Sequence, residues 1–254
     1  MQVLAIERRR EILARLENEG KVIVAELAKD FDVTEETIRR DLEKLDNEGL
    51  VSKTYGGAVS KHDPALDLPY KVRIGVSVAE KQKISEIVAG MVNDGDRIMV
   101  DASSTAIYIM RKLKSKKNLT VITNSVEILL ELADKPDFNV LSTGGSIKQG
   151  SLSLTGSSAE KMIRSYHVDL AICSCKGVDT ELGITDSNEK DCLIKQAMFD
   201  SAERKMLAVD NGKFDKKSFV KVSELSAVDV IVTAKCPSDK WVDYCQSEGI
   251  NLIY

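Results

Sequence analysis

Six short apolar runs recur through the last two thirds of the chain, at residues 97–100, 119–122, 140–141, 169–174, 206–209 and 228–232. Most are separated by a stretch with helical periodicity. Strands alternating with helices call for a largely parallel sheet covered by helices on both faces, because each crossover lays a helix against the sheet. A helix over 76–92, with Ile84, Ile87, Val88 and Met91 as its apolar stripe, leads into the first run.

In such a sheet ligands gather where strands end and loops turn into helices. Asp101, Ala102, Ser103, Ser104 and Thr105 follow the first run and open a helix toward Leu113. Small residues admit an anion close to the backbone, hydroxyls can donate to it, and the helix N-terminus adds N–H groups and a positive dipole end. Thr123, Asn124 and Ser125 repeat this chemistry at the second strand end, and Thr143, Gly144 and Gly145 at the third. Each set alone is equally an ordinary helix cap. Three at successive strand ends point to a shared polar site. Two later loops, with Lys176 and Asp179 in one and Asp210 to Phe214 around Lys213 in the other, add charge: a lysine pairs with a phosphate, and a carboxylate takes sugar hydroxyls.

The first sixty residues follow a different plan. Thr34 is a good helix N-cap, Glu35 and Glu36 suit the positive end of the dipole, and Ile38, Leu42 and Leu45 fall on one stripe. Glu36, Arg40 and Asn47 then face outward with Arg39 on the flank, so two guanidinium forks stand near a helix N-terminus, suited to guanine or phosphate. Upstream, Val24, Leu27, Ala28 and Phe31 mark a short helix, and Asp32-Val33-Thr34 is a tight connection of helix-turn-helix type. Ile12, Leu13 and Leu16 give an earlier helix carrying Arg8, Arg9 and Arg10, ended by Gly20, and residues 21–23 add a short strand. Gly49 stops the later helix, residues 50–55 read as a strand, and Gly56-Gly57 as a hairpin turn into Ala58-Val59. Three helices and a ribbon make a winged helix.

Bulk charge offers no support for nucleic-acid binding. The whole chain carries −4, and residues 1–61 hold eleven Lys/Arg against thirteen Asp/Glu, a balance of 11 − 13 = −2. The footprint therefore depends on local placement, in a stripe of Arg8, Arg9, Arg10, Arg39, Arg40, Lys53 and Lys61. The aperiodic segment 61–75, with two of the four prolines and a solvated His62, reads as a linker. The expected organisation is a winged helix-turn-helix domain at 1–60, the linker at 61–75 and an α/β domain at 76–254.

No apolar run approaches the ~20 residues of a membrane span and no signal-peptide core opens the chain, so a cytoplasmic protein without membrane contact is expected. Five cysteines without framework spacing fit a reducing compartment, and Cys173 and Cys175 read as buried apolar thiols. With only two histidines, no metal site and no cofactor are expected.

Arg8, Ile12, Leu16 and the pattern Thr34-x-x-Thr37-Ile38-Arg39-Arg40-Asp41-Leu42 resemble the N-terminal signature of the DeoR family of bacterial transcription regulators, and Tyr55-Gly56-Gly57-Ala58 resembles its wing. Asp101 to Thr105, Thr123-Asn124, Gly144-Gly145, Gly177-Val178-Asp179 and Asp210-x-x-Lys213-Phe214 resemble its effector domain, which is similar in fold to ribose-5-phosphate isomerase. The resemblance implies a repressor of a carbohydrate operon that binds double-stranded operator DNA and a phosphorylated sugar. Thr34, Glu36, Thr37, Arg39, Arg40, Lys44, Lys53 and Tyr55 are the expected DNA-binding residues. Asp101, Ser103, Ser104, Thr105, Thr123, Asn124, Gly144, Gly145, Lys176, Asp179 and Lys213 are the expected effector-binding residues. A homodimer or homotetramer is expected, since one acidic reader domain holds DNA weakly. Many relatives carry serine where Asn211 stands, which touches the chemistry of the lysine loop.

Two alternatives accompany this reading. A retained sugar-phosphate isomerase would need a carboxylate base, for which Asp179, Asp186, Glu189 and Asp191 are candidates. Residues 189–195, however, read as a helix opened by Ser187 or Asn188, where acids favour the dipole, so no enzyme is expected. A constitutive DNA-binding protein whose large domain only oligomerises would leave the polar strand ends unexplained.

Overall fold

The computed structural model describes residues 4–60 and 70–254; Lys61 and His62 lie outside these. It divides into two compact units, Met1–Ser77 and Val78–Tyr254.

The first unit runs α1 (Ala5–Glu19), β1 (Lys21–Ile23), α2 (Val24–Asp30), α3 (Glu35–Asn47), β2 (Val51–Thr54), β3 (Gly57–Ser60) and α4 (Tyr70–Arg73). Gly20 closes α1 in the left-handed region at φ 74°. The Thr34 hydroxyl caps α3 by accepting from the Thr37 N–H, an interaction whose loss costs ~1 kcal/mol. The stripe of Ile38, Leu42 and Leu45 is buried against Ile12, Leu16, Leu27 and Val51 in one small core. Strands pair antiparallel in the order β1-β3-β2, completing a winged helix.

The hairpin turn lies one residue earlier than expected. Thr54 pairs with Gly57, so Tyr55 and Gly56 form the turn and Gly57 begins β3. Gly57 is required by proximity: a Cβ there would sit 1.9 Å from the Val22 carbonyl oxygen of β1. Residues 70–73, where no periodicity shows, form α4, a single turn too short to impose one. Val76 joins the small core.

The second unit contains α5 (Val78–Met91), β4 (Arg97–Val100), α6 (Ser104–Leu113), β5 (Thr120–Thr123), α7 (Val126–Leu132), β6 (Asn139–Ser142), β7 (Ser146–Lys148), β8 (Ser153–Thr155) and α8 (Ser157–Arg164). It continues through β9 (Val168–Cys173), β10 (Gly177–Asp179), β11 (Gly183–Asp186), α9 (Glu189–Asp200), β12 (Ala202–Ala208), β13 (Val220–Ser223), β14 (Val230–Val232), α10 (Asp239–Ser247) and β15 (Asn251–Ile253). Seven strands form one sheet, β15-β14-β12-β9-β4-β5-β6, and every pairing is parallel.

Alternate strand residues point to opposite faces. Met99, Ala171, Cys173, Leu207 and Ile231 join the core formed with α8, α9 and α10, which leaves Ile98, Leu170, Ile172 and Met206, also buried, for the other face. The chain proceeds from β4 outward to β5 and β6, then returns to β9 on the other side of β4 and proceeds through β12, β14 and β15. With right-handed crossovers, the helices of the two halves fall on opposite faces. The reversal makes the C-terminal ends of β4 and β9 a topological switch point.

Three features differ from the six runs in the sequence. β15 adds a seventh strand, only three residues long and starting at a polar Asn251. Residues 177–186 and 220–223 build a separate antiparallel sheet, β10-β11-β13, and β7 pairs with β8 as a hairpin. Strands of three or four residues carry too few alternations to separate them from loops. Among the described residues no helix is long and apolar enough to cross a membrane.

Candidate functional site

The outward face of α3 carries the candidate reader. Thr34, Glu36, Arg39, Arg40 and Lys44 are exposed, and Thr37 is half-buried because its hydroxyl lies 3.0 Å from that of Thr34. Arg39 donates to Glu35 at 2.5 Å, and Arg40 to Glu36 at 3.3 Å, one turn earlier in each case. These side chains are 53% and 77% exposed, so the pairs are worth a few tenths of a kcal/mol and yield readily to a phosphate or a guanine edge. Lys53 and Tyr55 stand exposed on the ribbon, Tyr55 at the turn itself.

Arg8 does not belong to the basic stripe. It is buried, and its Nε donates to Asp41 Oδ2 at 2.6 Å, while Arg9 reaches Asp41 Oδ1 at 3.4 Å. Asp41, on the inner face of α3, thus ties that helix to α1. Arg39, on the same helix, pairs with Glu35, so the arginines that Asp41 orients are those of α1. Burial removes Arg8 from DNA because a desolvated guanidinium stays with its carboxylate.

In the second unit, the loops at the ends of β4, β5, β6, β9 and β12 gather at one edge of the sheet, since the strands are parallel and adjacent. Asp101 is the centre of the switch point. Its Oδ1 accepts from the Ser103 N–H at 3.1 Å, its Oδ2 from the Ser174 N–H at 3.0 Å, and Lys195 Nζ lies 2.5 Å from Oδ2. One buried carboxylate therefore joins β4, β9 and α9. Ser103 caps α6 by accepting from the Ala106 N–H. Ser104 and Thr105 follow in its first turn, where N–H groups have no intrahelical acceptor.

The second strand end is largely structural. Thr123 Oγ1 donates to the Val100 carbonyl at 2.7 Å and accepts from the Ser125 N–H at 3.1 Å, which pins the ends of β4 and β5 together. Asn124 Nδ2 donates to the Leu154 carbonyl at 3.1 Å, yet its Oδ1 is buried with no partner among the described residues. An orphaned acceptor of this kind costs ~1–3 kcal/mol unless something donates to it. At the third strand end Gly144 and Gly145 are exposed at φ 63° and 100°, Gly144 facing open space and Gly145 pressed against Thr155.

Lys176 follows β9, and Lys213 lies in the loop after β12, both half-buried. That loop is fixed on several sides. Asp210 accepts from the Gly212 N–H at 3.1 Å, Phe214 meets Trp241 edge-on at 4.9 Å, and Trp241 Nε1 donates to Asp215 at 3.1 Å. Asn211 Oδ1 accepts from Thr233 Oγ1 and the Lys235 N–H at 3.2 and 3.1 Å, and its Nδ2 donates to the Lys235 carbonyl at 2.9 Å. The asparagine thereby braces the lysine loop against the end of β14. Asp179 is turned to a local task, accepting from the N–H groups of Glu181 and Leu182 at 3.0 and 2.9 Å. Burial pushes its carboxyl up, but these bonds and Lys217 outweigh that and hold it below the usual range.

Sequence reasoning missed Lys195. It lies on the buried stripe of α9 with Cys192, Met198 and Phe199, where spacing calls for an apolar residue, and it is accommodated there by Asp186 Oδ2 3.4 Å away as well as by Asp101. Burial alone would lower its pKa, but the two carboxylates hold it well above the ordinary lysine value. Of the remaining carboxylates, Asp191 lies 2.5 Å from Lys148 Nζ, and Glu189 is exposed in the first turn of α9, which Asn188 caps. Burial pushes the thiols of Cys173 and Cys175 up, so neither is a ready nucleophile.

Residues 8–63 match the family model of the DeoR-like helix-turn-helix domain, and residues 76–235 that of the DeoR C terminal sensor domain. The chain is similar to the uncharacterized HTH-type transcriptional regulator YulB of Bacillus subtilis (strain 168), 39% identical over 231 residues that cover 91% of this chain and 89% of that protein. It is 32% identical over 242 residues to the L-fucose operon activator of Haemophilus influenzae, covering 95% and 97%. Among solved structures, ribose 5-phosphate isomerase A from Methanocaldococcus jannaschii aligns over 54% of each chain at 19% identity and a TM-score of 0.39.

Proposed function

Since the chain belongs to the DeoR family of DNA-binding transcriptional regulators, we propose that it represses a carbohydrate operon and that a phosphorylated sugar, held at the switch point of its sheet, sets its affinity for operator DNA. The observation that carries this reading is the convergence of polar strand ends around Asp101. The first turn of α6 offers the N–H groups and hydroxyls of Ser104 and Thr105 to a phosphate, and Lys176 and Lys213 supply positive charge from the neighbouring strand ends. The orphaned Asn124 Oδ1 is an acceptor for a sugar hydroxyl. A relative named for the L-fucose operon supports the choice of a sugar-linked effector.

In this reading α3 enters the major groove, with Thr37, Arg39 and Arg40 on bases or phosphates and Lys44, Lys53 and Tyr55 on the backbone. Because the reader is acidic overall, two of them, joined in a homodimer or homotetramer in the cytoplasm, supply the affinity that one lacks. Effector binding alters operator affinity by ~1–3 kcal/mol, enough for a switch. Catalysis is not part of the proposal: Asp186 is held by Lys195, Asp191 by Lys148, and Asp179 by two backbone N–H groups.

The test is a thermal-shift screen of the full-length protein against hexose, pentose and glycerol phosphates and their unphosphorylated parents. At a hundredfold excess over Kd a ligand adds ~2.7 kcal/mol, which raises the melting point of a unit of this size by roughly 5–10 °C. A selective rise with one phosphate ester is the expected result. No rise with any of them would overturn the sensor reading and leave the DNA reader in place.

A further inference from the structure

Lys195, Asp101 and Asp186 form a buried cluster whose charges sum to −2 + 1 = −1 beside the ends of β4 and β9. Net negative charge is an odd endowment for a site that takes an anion. Asp101 is needed where it is, because it gathers the Ser103 and Ser174 N–H groups and Lys195. Asp186 holds nothing comparable. Among the described residues, and apart from Lys195, its carboxylate accepts only from its own neighbour, the N–H of Ser187 at 2.7 Å and the Ser187 hydroxyl at 3.4 Å. The architecture of the switch point stands without its charge. Asp101, which accepts from the N–H of Ser103 at the start of α6, ties this cluster directly to the strand ends that carry the donors.

We propose that Asp186 is an affinity-setting residue of the effector site: by drawing on the charge of Lys195 it keeps the site's affinity for anions lower than its donors alone would give. The inference rests on the sensor reading and adds to it. A sensor must release its ligand when concentration falls, and a fixed negative charge near the anion weakens binding without disturbing the donors that select it. Lys195 acts with Asp186 as a positioning residue whose ammonium holds Asp101 in place and offsets part of the cluster's negative charge. One charge removed within a Debye length of the anion, across an effective dielectric of about 20 and with some screening, changes anion affinity by about tenfold.

The experiment titrates inorganic phosphate into full-length protein, reads line broadening by phosphorus NMR, and repeats the titration with the sugar phosphate chosen by the thermal-shift screen. Asp186→Asn, which leaves a cluster charge of 0, should bind phosphate about tenfold tighter than the native protein. Lys195→Met, at −2, should bind more weakly by a similar factor. The double variant, returned to −1, should recover toward native affinity, and Lys195→Arg should stay close to it. A purely structural role predicts weaker binding in every variant, so tighter binding by Asp186→Asn is the deciding result. It is decisive even if Lys195→Met fails to fold. If the native protein binds phosphate and Asp186→Asn binds no tighter, this inference is wrong and the sensor reading survives. If the native protein binds neither phosphate nor any sugar phosphate, both fall.

Discussion

Asp41 offers the sharpest test of how the reader domain is built. Its carboxylate is 5% exposed and meets an Arg8 side chain that is 7% exposed, with Arg9 as a second partner. Asp41→Asn keeps the shape and removes the charge, so a buried guanidinium loses its carboxylate. Breaking a buried pair from one side costs roughly 3–5 kcal/mol. A unit of Met1–Ser77 has about 4–12 kcal/mol of stability in all, at ~0.05–0.15 kcal/mol per residue. The substitution therefore removes a quarter or more of it, and its melting point should fall by more than about 12 °C, at ~4–8 °C per kcal/mol. The single tryptophan, Trp241, lies in the other unit, so its fluorescence follows that unit separately while far-UV circular dichroism registers both. The expected record is an early loss of helical signal with the tryptophan transition unmoved. Replacing both partners with apolar residues, Arg8→Met with Asp41→Leu, should restore most of the lost stability, since the cost is that of a stranded charge. A reader that melts within a degree or two of the native protein after Asp41→Asn would refute the assignment.

Arg40→Ala should weaken specific operator binding by 1–3 kcal/mol, about 5- to 150-fold in a gel-shift titration, and leave phosphate titrations unchanged. Gly57→Ala drives a Cβ into the Val22 carbonyl at 1.9 Å, so β3 must part from β1; a loss of ~1–3 kcal/mol in urea unfolding and weaker operator binding are expected. Burial pushes the Asp191 carboxyl up, but Lys148, then Lys195 and Asn188, outweigh it and hold it below the usual carboxylate range. Its folded pKa thus lies below its unfolded one of about 3.9, so its contribution is complete above about pH 4 and is lost as pH falls through the folded value. Asp191→Asn should therefore cost stability at pH 7 in urea melts, and the gap should close as the melts are repeated below pH 4.

The sequence by itself determined the elements that local chemistry writes. Thr34 as an N-cap, the stripe Ile38, Leu42 and Leu45, the stop at Gly20 and the apolar runs of the sheet each depend on neighbours within a turn or a strand, so they are legible in a linear pattern. So was the clustering of hydroxyls and glycines at strand ends, because the parallel sheet brings successive strand ends together by its topology. What only the tertiary structure decided is which polar groups are spent on one another. Arg8 looks like a DNA contact until Asp41, 33 residues away, claims it. Thr123 looks like a ligand group until its hydroxyl is found between Val100 and Ser125. Lys195 is a charge on the apolar stripe of α9 that nothing nearby explains until Asp101, 94 residues away, accounts for its burial. The short β10, β11 and β13 acquire their identity only from each other. In each case the deciding energy is the desolvation of a charged or polar group, and that depends on partners distant in the chain.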